Sequence, residues 1–195
     1  EQLIGTDAAL PVVVTVADID GDGYPDVISG ARSTNGVSWY KNLDGQGSFG
    51  SLQLIVDLSE IYGVSTADLD GDGDIDILVS DTYQDKVLWI ENLDGAGTFG
   101  PPKIIDNNAD NVNDAIGVDL DRDGDLDILA AIDQQNTAAW YENLDGLGSF
   151  SARNLISSNL LGCRSVFAAD IDNDGDLDVV ANSANTVTIS WFENL

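Results

Sequence analysis

Four short segments carry nearly all the side chains able to do chemistry. They read D-I-D-G-D-G-Y-P-D at 18–26, D-L-D-G-D-G-D-I-D at 68–76, D-L-D-R-D-G-D-L-D at 119–127 and D-I-D-N-D-G-D-L-D at 170–178. Aspartate fills positions 1, 3, 5 and 9 of each: Asp18, Asp20, Asp22 and Asp26; Asp68, Asp70, Asp72 and Asp76; Asp119, Asp121, Asp123 and Asp127; Asp170, Asp172, Asp174 and Asp178. Glycine holds position 6, and position 7 is Tyr24, Asp74, Asp125 or Asp176. So many carboxylates in one loop repel each other unless a hard divalent cation lies among them. An oxygen-only ligand set with a glycine for the sharp turn points to Ca2+. The expected set is the side chains at 1, 3, 5 and 9 with the carbonyl at 7, giving four calcium sites. Magnesium tolerates such a full protein cage poorly. Position 4 (Gly21, Gly71, Arg122, Asn173) is expected to point outward.

These loops are not EF-hands. That motif needs a bidentate glutamate at position 12 and flanking helices. Position 12 here is Ser29, Val79, Ala130 or Ala181, inside an apolar run. Other chemistries are poorly supplied. The chain has no histidine, the commonest general base and a common transition-metal ligand. Its one cysteine, Cys163, has no internal disulfide partner and reads as a buried neutral thiol. Phosphate-loop and zinc spacings are missing. Most acids belong to the four loops, which leaves no distinct carboxylate pair for glycoside hydrolysis. The expectation is therefore not an enzyme.

The elements that must hold the loops repeat with them. The ladders start 50, 51 and 51 residues apart, and Trp39, Trp89, Trp140 and Trp191 keep the same spacing. Around the tryptophans run V-S-W-Y-K-N-L-D-G, V-L-W-I-E-N-L-D-G, A-A-W-Y-E-N-L-D-G and I-S-W-F-E-N-L. Each repeat offers four strand candidates: one entering the ladder, an apolar one leaving it, one bearing the tryptophan, and one after a D-G-x-G-x-F turn. Valine, isoleucine, threonine and aromatic residues dominate them, and no helical period is sustained. Four antiparallel strands per repeat of about 50 residues make the blade of a β-propeller. The tryptophans are expected to pack between blades.

The predicted fold is all-β, a propeller of four four-stranded blades in one domain over residues 1–195. The repeats fall at roughly 5–56, 57–105, 106–156 and 157–195 plus 1–4. The last repeat lacks a fourth strand, and the opening E-Q-L-I resembles one. Pairing Gln2–Ile4 with Ile189–Asn194 would close the ring and remove both open edges. The alternative is half of a larger propeller, completed by a second copy or by further sequence.

Composition bounds the partners. Formal net charge is −28, from 35 acids against 7 bases, which repels nucleic acid and anionic membrane surfaces. No run of about 20 apolar residues is present to insert into a bilayer. Methionine is absent, as expected of a processed protein or an excised domain.

The A-D-[IL]-D-G-D-G-x-x-D segments, the apolar strand after each, and the F-G of S-F-G and T-F-G resemble the FG-GAP/VCBS repeats of integrin-α-like propellers. The resemblance implies a calcium loop between the first two strands of each blade. It also implies an extracellular role in adhesion, carbohydrate binding or scaffolding. Calcium modules of that environment bind at roughly 10⁻⁴–10⁻³ M, matched to the calcium outside cells. The expected function is an extracellular, secreted or cell-surface, calcium-binding interaction module with a protein or glycan partner. Self-assembly as a homo-oligomer or filament is part of that expectation. The alternatives are a lectin using Tyr62 or Tyr83, or an accessory domain of a secreted enzyme. Ligand contacts are expected on the face away from the ladders, where the repeats differ most. Asp106–Asp114 is the most unusual connector there, read as a solvated loop or an extra cation or sugar site.

Overall fold

Where the chain alternates β-branched and small residues between turn signals, strands form. The computed structural model describes residues 2–33, 36–58 and 60–194. Glu1, Thr34, Asn35, Ser59 and Leu195, which fall in the expected N-terminal strand, two loops and the last repeat, lie outside the described residues. Among those described there are fifteen strands and no helix.

The first sheet holds β1 (Pro11–Ala17), β2 (Asp26–Ala31), β3 (Val37–Tyr40) and β4 (Gln53–Val56). The second holds β5 (Ile61–Ala67), β6 (Asp76–Asp81), β7 (Lys86–Ile90) and β8 (Lys103–Asp106). The third holds β9 (Val112–Val118), β10 (Asp127–Ile132), β11 (Thr137–Tyr141) and β12 (Asn154–Ser157). The fourth holds β13 (Val166–Ala169), β14 (Asp178–Ser183) and β15 (Thr188–Phe192). Each sheet is an antiparallel meander in chain order. Each ladder spans the hairpin between the first two strands, and its ninth residue opens the second one.

The sheets pack face to face in sequence, as propeller blades do. Ile19, Ile28, Val37 and Trp39 of the first meet Ile61, Val64, Ile77, Val79, Leu88 and Ile90 of the second. Leu69, Leu78, Val87 and Trp89 of the second meet Val112, Ala115, Ile128, Ala130 and Tyr141 of the third. Leu120, Leu129, Ala131 and Ala138 of the third meet Cys163, Val166, Val179 and Ala181 of the fourth. The tryptophans thus sit between blades, as expected, except at the last sheet, whose Trp191 is half exposed. Cys163 is fully buried, and desolvation pushes its thiol up to about 11, far from a reactive thiolate.

The expected ring closure is not made. Gln2–Ile4 form no strand, Leu3 is 75% exposed, and β15 stays an edge of a three-stranded sheet. Among the described residues the four sheets show no closed ring.

A second difference is local. The residue before the first strand of each of the first three blades has left-handed backbone, Leu10 (φ 56°), Glu60 (φ 58°) and Asn111 (φ 57°), as has Gly162 (φ 75°) four residues before β13. A register shift follows in the first three blades, at Pro11/Val13, at Ile61/Gly63 and where Val112 and Asp114 face Ile132 and Ala131. Only asparagine and glycine signal such a turn in sequence.

The D-G-x-G turns fix how closely blades approach. A methyl built on Gly148 (φ +81°) would lie 2.1 Å from Cζ3 of Trp89, whereas one built on Gly124 (φ +102°) meets nothing within 4 Å. Gly124→Ala should therefore cost only backbone strain, about 1 kcal/mol, and Gly148→Ala about 2–4 kcal/mol, because it adds overpacking. Urea denaturation of the two variants measures the difference.

Candidate metal centre

Each ladder is a hairpin connection whose backbone coils around its own carboxylates. In the first, the N–H groups of Asp22 and Gly23 donate to Asp18 at 3.1 and 2.8 Å. The position 7 N–H donates to the position 5 carboxylate in all four: Tyr24 to Asp22 at 2.9 Å, Asp74 to Asp72 at 2.9 Å, Asp125 to Asp123 at 3.2 Å and Asp176 to Asp174 at 2.9 Å. Position 4 takes left-handed backbone, at Gly21 (φ 68°), Gly71 (φ 71°), Arg122 (φ 65°) and Asn173 (φ 63°). As expected it lies at the surface, and it also meets the next blade. A Cβ on Gly71 would sit 3.2 Å from the Gly146 carbonyl of the next blade, and Arg122 reaches across to pair with Asp176.

Three carboxylates in each ladder bring ligand atoms within 4.8 Å of one another: Asp18, Asp20 and Asp22; Asp68, Asp70 and Asp76; Asp119, Asp121 and Asp123; Asp170, Asp172 and Asp178. Several of their oxygens are buried without a hydrogen-bond partner, namely Oδ1 of Asp20, Asp68, Asp70 and Asp119. An orphaned carboxylate oxygen is costly in a protein interior unless a cation meets it. The donor set is all oxygen, so the residues present fit a hard divalent ion. The position 7 side chains do not join these clusters: Tyr24, Asp74 and Asp125 lie against Gly45, Gly95 and Gly146 of the D-G turns, and Asp176 pairs with Arg122.

Position 9 has a second role that sequence reasoning missed. Asp26, Asp76, Asp127 and Asp178 are fully buried. One oxygen of each accepts the position 2 N–H: Ile19 at 3.1 Å, Leu69 at 3.1 Å, Leu120 at 3.1 Å and Ile171 at 3.0 Å. The other accepts the backbone N–H of the asparagine three residues beyond each tryptophan: Asn42 at 2.7 Å, Asn92 at 2.8 Å, Asn143 at 2.8 Å and Asn194 at 2.9 Å. The asparagine amide then crosses to the previous blade, Asn92 to the Ile19 carbonyl at 2.9 Å, Asn143 to Leu69 at 3.0 Å and Asn194 to Leu120 at 3.0 Å. The signal was the invariant N-L of the W-x-x-N-L segment in all four copies.

The ladders are not equivalent. Lys41 places its ammonium on Asp20 and within 3.2 Å of Asp22. The other repeats carry Glu91, Glu142 and Glu193 at that place. The first ladder therefore holds a built-in cation, and the second has Glu91 adding to the field at Asp70.

The opposite face is built from the connectors and the turns between second and third strands. An open cleft of about 550 Å³ there is lined by Glu60, Tyr62, Tyr83, Asp110, Asn111 and Arg164 among others. Arg32 stacks on Tyr62 at 5.0 Å, and Tyr83 is 68% exposed. Asp106–Asp114 is no free loop. Ala109 is fully buried and donates to the Asp85 carbonyl at 2.8 Å, and the Asn111 N–H donates to the Asp85 side chain at 2.9 Å. Asp106 accepts from Tyr141 at 2.6 Å and from Arg153 at 2.8 Å.

This architecture has relatives. The FG-GAP-like repeat model matches residues 18–79, 68–130 and 119–181, each span running from one ladder through the strand after the next. The chain belongs to the FG-GAP-like repeat family. It is similar in structure to a lectin from Agrocybe aegerita that recognises non-reducing terminal N-acetylglucosamine, with a TM-score of 0.61 and 25% identity over 87% of this chain and 46% of that one. An auxiliary nutrient binding protein from Bacteroides ovatus aligns with a TM-score of 0.64 and 9% identity, over 96% of this chain and 46% of that one. The V. cholerae biofilm matrix protein Bap1 aligns with a TM-score of 0.50 and 22% identity, over 88% of this chain and 23% of that one. The chain thus spans less than half the length of each. No curated protein matches it in sequence. Among the described residues no helix is long and apolar enough to cross a membrane.

Burial gives the position 9 carboxyls a measurable signature. Desolvation pushes Asp76 and Asp127 up to about 6, while Asp178, on the sheet whose outer face is open, is held below the usual range by the Asn194 N–H. A raised folded value means the folded state binds protons that the unfolded state releases, so stability should grow as pH falls through 6 toward 4. In calcium-depleted buffer the urea midpoint should be higher at pH 5 than at pH 7. With calcium bound the slope should reverse, because protons then compete with the ion.

Proposed function

We propose that the chain is an extracellular, calcium-stabilised binding module and that each ladder holds one Ca2+. The observation that carries this reading is the three-carboxylate cluster that recurs in all four ladders, with buried, unpartnered carboxylate oxygens in the first three. Positions 1, 3, 5 and 9 would supply the side-chain oxygens and position 7 a carbonyl. Bound there, the ion would neutralise the clustered charge. The chain's own residues do the rest. Backbone N–H groups at positions 6 and 7 orient the carboxylates, and the position 9 aspartate ties the ladder to its own blade. The asparagine bonded to that aspartate ties it to the neighbour. Order at the ladder is thereby coupled to blade packing, and binding rather than catalysis is the role such a scaffold serves.

Calcium should raise the melting temperature and a chelator should lower it, each occupied site adding about 1–3 kcal/mol at concentrations well above Kd. Differential scanning calorimetry checks this, and an unchanged melting point in chelator would reject the reading. Titration calorimetry should find the first site weakest, because Lys41 already compensates Asp20 and Asp22. Lys41→Glu should bring that site up to the affinity of the others.

A glycan is the favoured ligand for the opposite face. The cleft combines exposed Tyr83, stacked Tyr62 and several amide and carboxylate groups, the mixture that sugar rings and hydroxyls call for, and a lectin is among the structural relatives. A glycan array should give a defined sugar whose binding drops at least tenfold in Tyr83→Ala, with melting behaviour unchanged. Absence of any glycan hit would leave a protein partner for this face.

A further inference from the structure

We infer that the ladders fill with calcium cooperatively, each one favouring its immediate neighbours, and that Asn92 and Asn143 are the residues that couple them. The inference rests on the reading of the ladders as calcium sites and adds to it how one site acts on the next.

One peptide group in a ladder is held from two blades. In the second ladder the Leu69 N–H donates to Asp76, the position 9 carboxylate of the same loop, at 3.1 Å. The Leu69 carbonyl accepts the side-chain amide of Asn143, in the third blade, at 3.0 Å. The Asn143 N–H donates in turn to Asp127, position 9 of the third ladder, at 2.8 Å. Three hydrogen bonds thus lead from one position 9 carboxylate to the next. Asp26, Ile19, Asn92 and Asp76 repeat the run between the first and second ladders, with bonds of 3.1, 2.9 and 2.8 Å. Asp127, Leu120, Asn194 and Asp178 repeat it between the third and fourth, at 3.1, 3.0 and 2.9 Å. Joined at Asp76 and Asp127, the three runs form one bonded path through all four ladders.

The two coupling asparagines are held at their oxygens as well. Oδ1 of Asn143 accepts the Gly148 N–H at 3.3 Å, in the D-G turn whose Gly146 carbonyl faces Gly71 of the second ladder. Oδ1 of Asn92 accepts the Gly97 N–H at 3.3 Å, and the Gly95 carbonyl of that turn faces Gly21 of the first ladder. Asn92 and Asn143 are 0% and 1% exposed, so water does not replace a bond that breaks there.

A ladder without a cation gathers carboxylates at close range, and their repulsion favours opening of the loop. Opening swings the position 2 peptide off the position 9 carboxylate and takes its carbonyl from the next blade's asparagine. That asparagine then loses its fixed place on the next ladder. Asp76 and Asp178 also belong to the carboxylate clusters that fit an ion, so closure of the ladder and the bridge to its neighbour share one side chain. A ladder held closed presents the neighbour with a preset acceptor and lowers the ordering cost of filling it. Direct charge acts in the opposite sense. One bound cation repels another, and weakly beyond about 8 Å at physiological salt. The sign of the coupling therefore separates the bridge from bare electrostatics.

Heteronuclear NMR of the isotope-labelled chain reads the ladders one by one, through their position 6 glycines Gly23, Gly73, Gly124 and Gly175. In calcium titrations at physiological salt, Asp70→Ala should silence Gly73. It should also raise the calcium midpoints at Gly23 and Gly124 about fivefold or more, the lower end of typical coupling between sites. In an Asn143→Ala background the Gly124 midpoint should no longer depend on Asp70, while the Gly23 midpoint still does. Asn92→Ala should give the converse. Circular dichroism with calcium present checks that each variant is folded, and the comparison of wild type with Asp70→Ala decides by itself if an asparagine variant is not. Midpoints at Gly23 and Gly124 that stay in place or fall in Asp70→Ala would overturn the inference. So would a shift at Gly124 that persists in Asn143→Ala. Glycine signals that never respond to calcium would sink the calcium reading and this coupling with it, whereas signals that respond independently sink the coupling alone.

Discussion

A carboxylate buried at the foot of each ladder organises this protein. Desolvating an aspartate costs several kcal/mol unless its oxygens are met. Here one oxygen is met by the ladder's own backbone and the other by an asparagine sixteen residues on. That asparagine has one amide group left, and it bonds the carbonyl of the blade before. Ladder, blade and neighbour are thus joined through a single residue type at a single place. Replacing the aspartate removes the bonds to ladder and blade, and replacing the asparagine side chain removes the bridge to the neighbour.

The same node explains why the blades differ so little in their inner parts and so much elsewhere. The strand after each ladder is buried on both faces, and its Ile28, Leu78 and Leu129 have no exposure. The face away from the ladders has no such network to keep. Its turns and connectors hold on to each other pairwise, as Asn111 does to Asp85 and Gly162 to Asn136. Exposed residues between those anchors, such as Tyr83, can vary at little cost to the stack, whereas Ala109 and Leu160 are buried in it. A recognition surface can therefore change while the scaffold stays fixed, as in other repeat proteins.

Repetition does not make the four units equal. Lys41 replaces a glutamate and carries its charge onto the first ladder. Arg122 spans the third and fourth ladders through Asp176. Positions in left-handed backbone that glycine or asparagine would fill without strain are held by Leu10, Glu60 and Arg122. A non-glycine residue there costs on the order of 1 kcal/mol, which the surrounding strand pairing must offset.

Much of the fold and of the candidate site was legible in the chain itself. The 50- and 51-residue period, the alternation of apolar residues and the D-G turns fixed the strands to within a few residues, because both signals are local. The carboxylate spacing foretold that aspartates of each ladder converge, since a nine-residue hairpin loop has little freedom, but not that the third member is position 5 in the first and third ladders and position 9 in the second and fourth. Other features were decided only by the tertiary structure. The double duty of the position 9 aspartate depends on exclusion of water by the adjoining sheet. The amide bridges join residues 73 or 74 apart, beyond the reach of any local pattern. Whether the N-terminal segment pairs with β15 was equally out of reach: it has the composition for it, yet among the described residues Asp7 bonds Tyr40 of the first blade and β15 stays an edge, because the partner of a strand is set by where distant blades lie and not by local pattern.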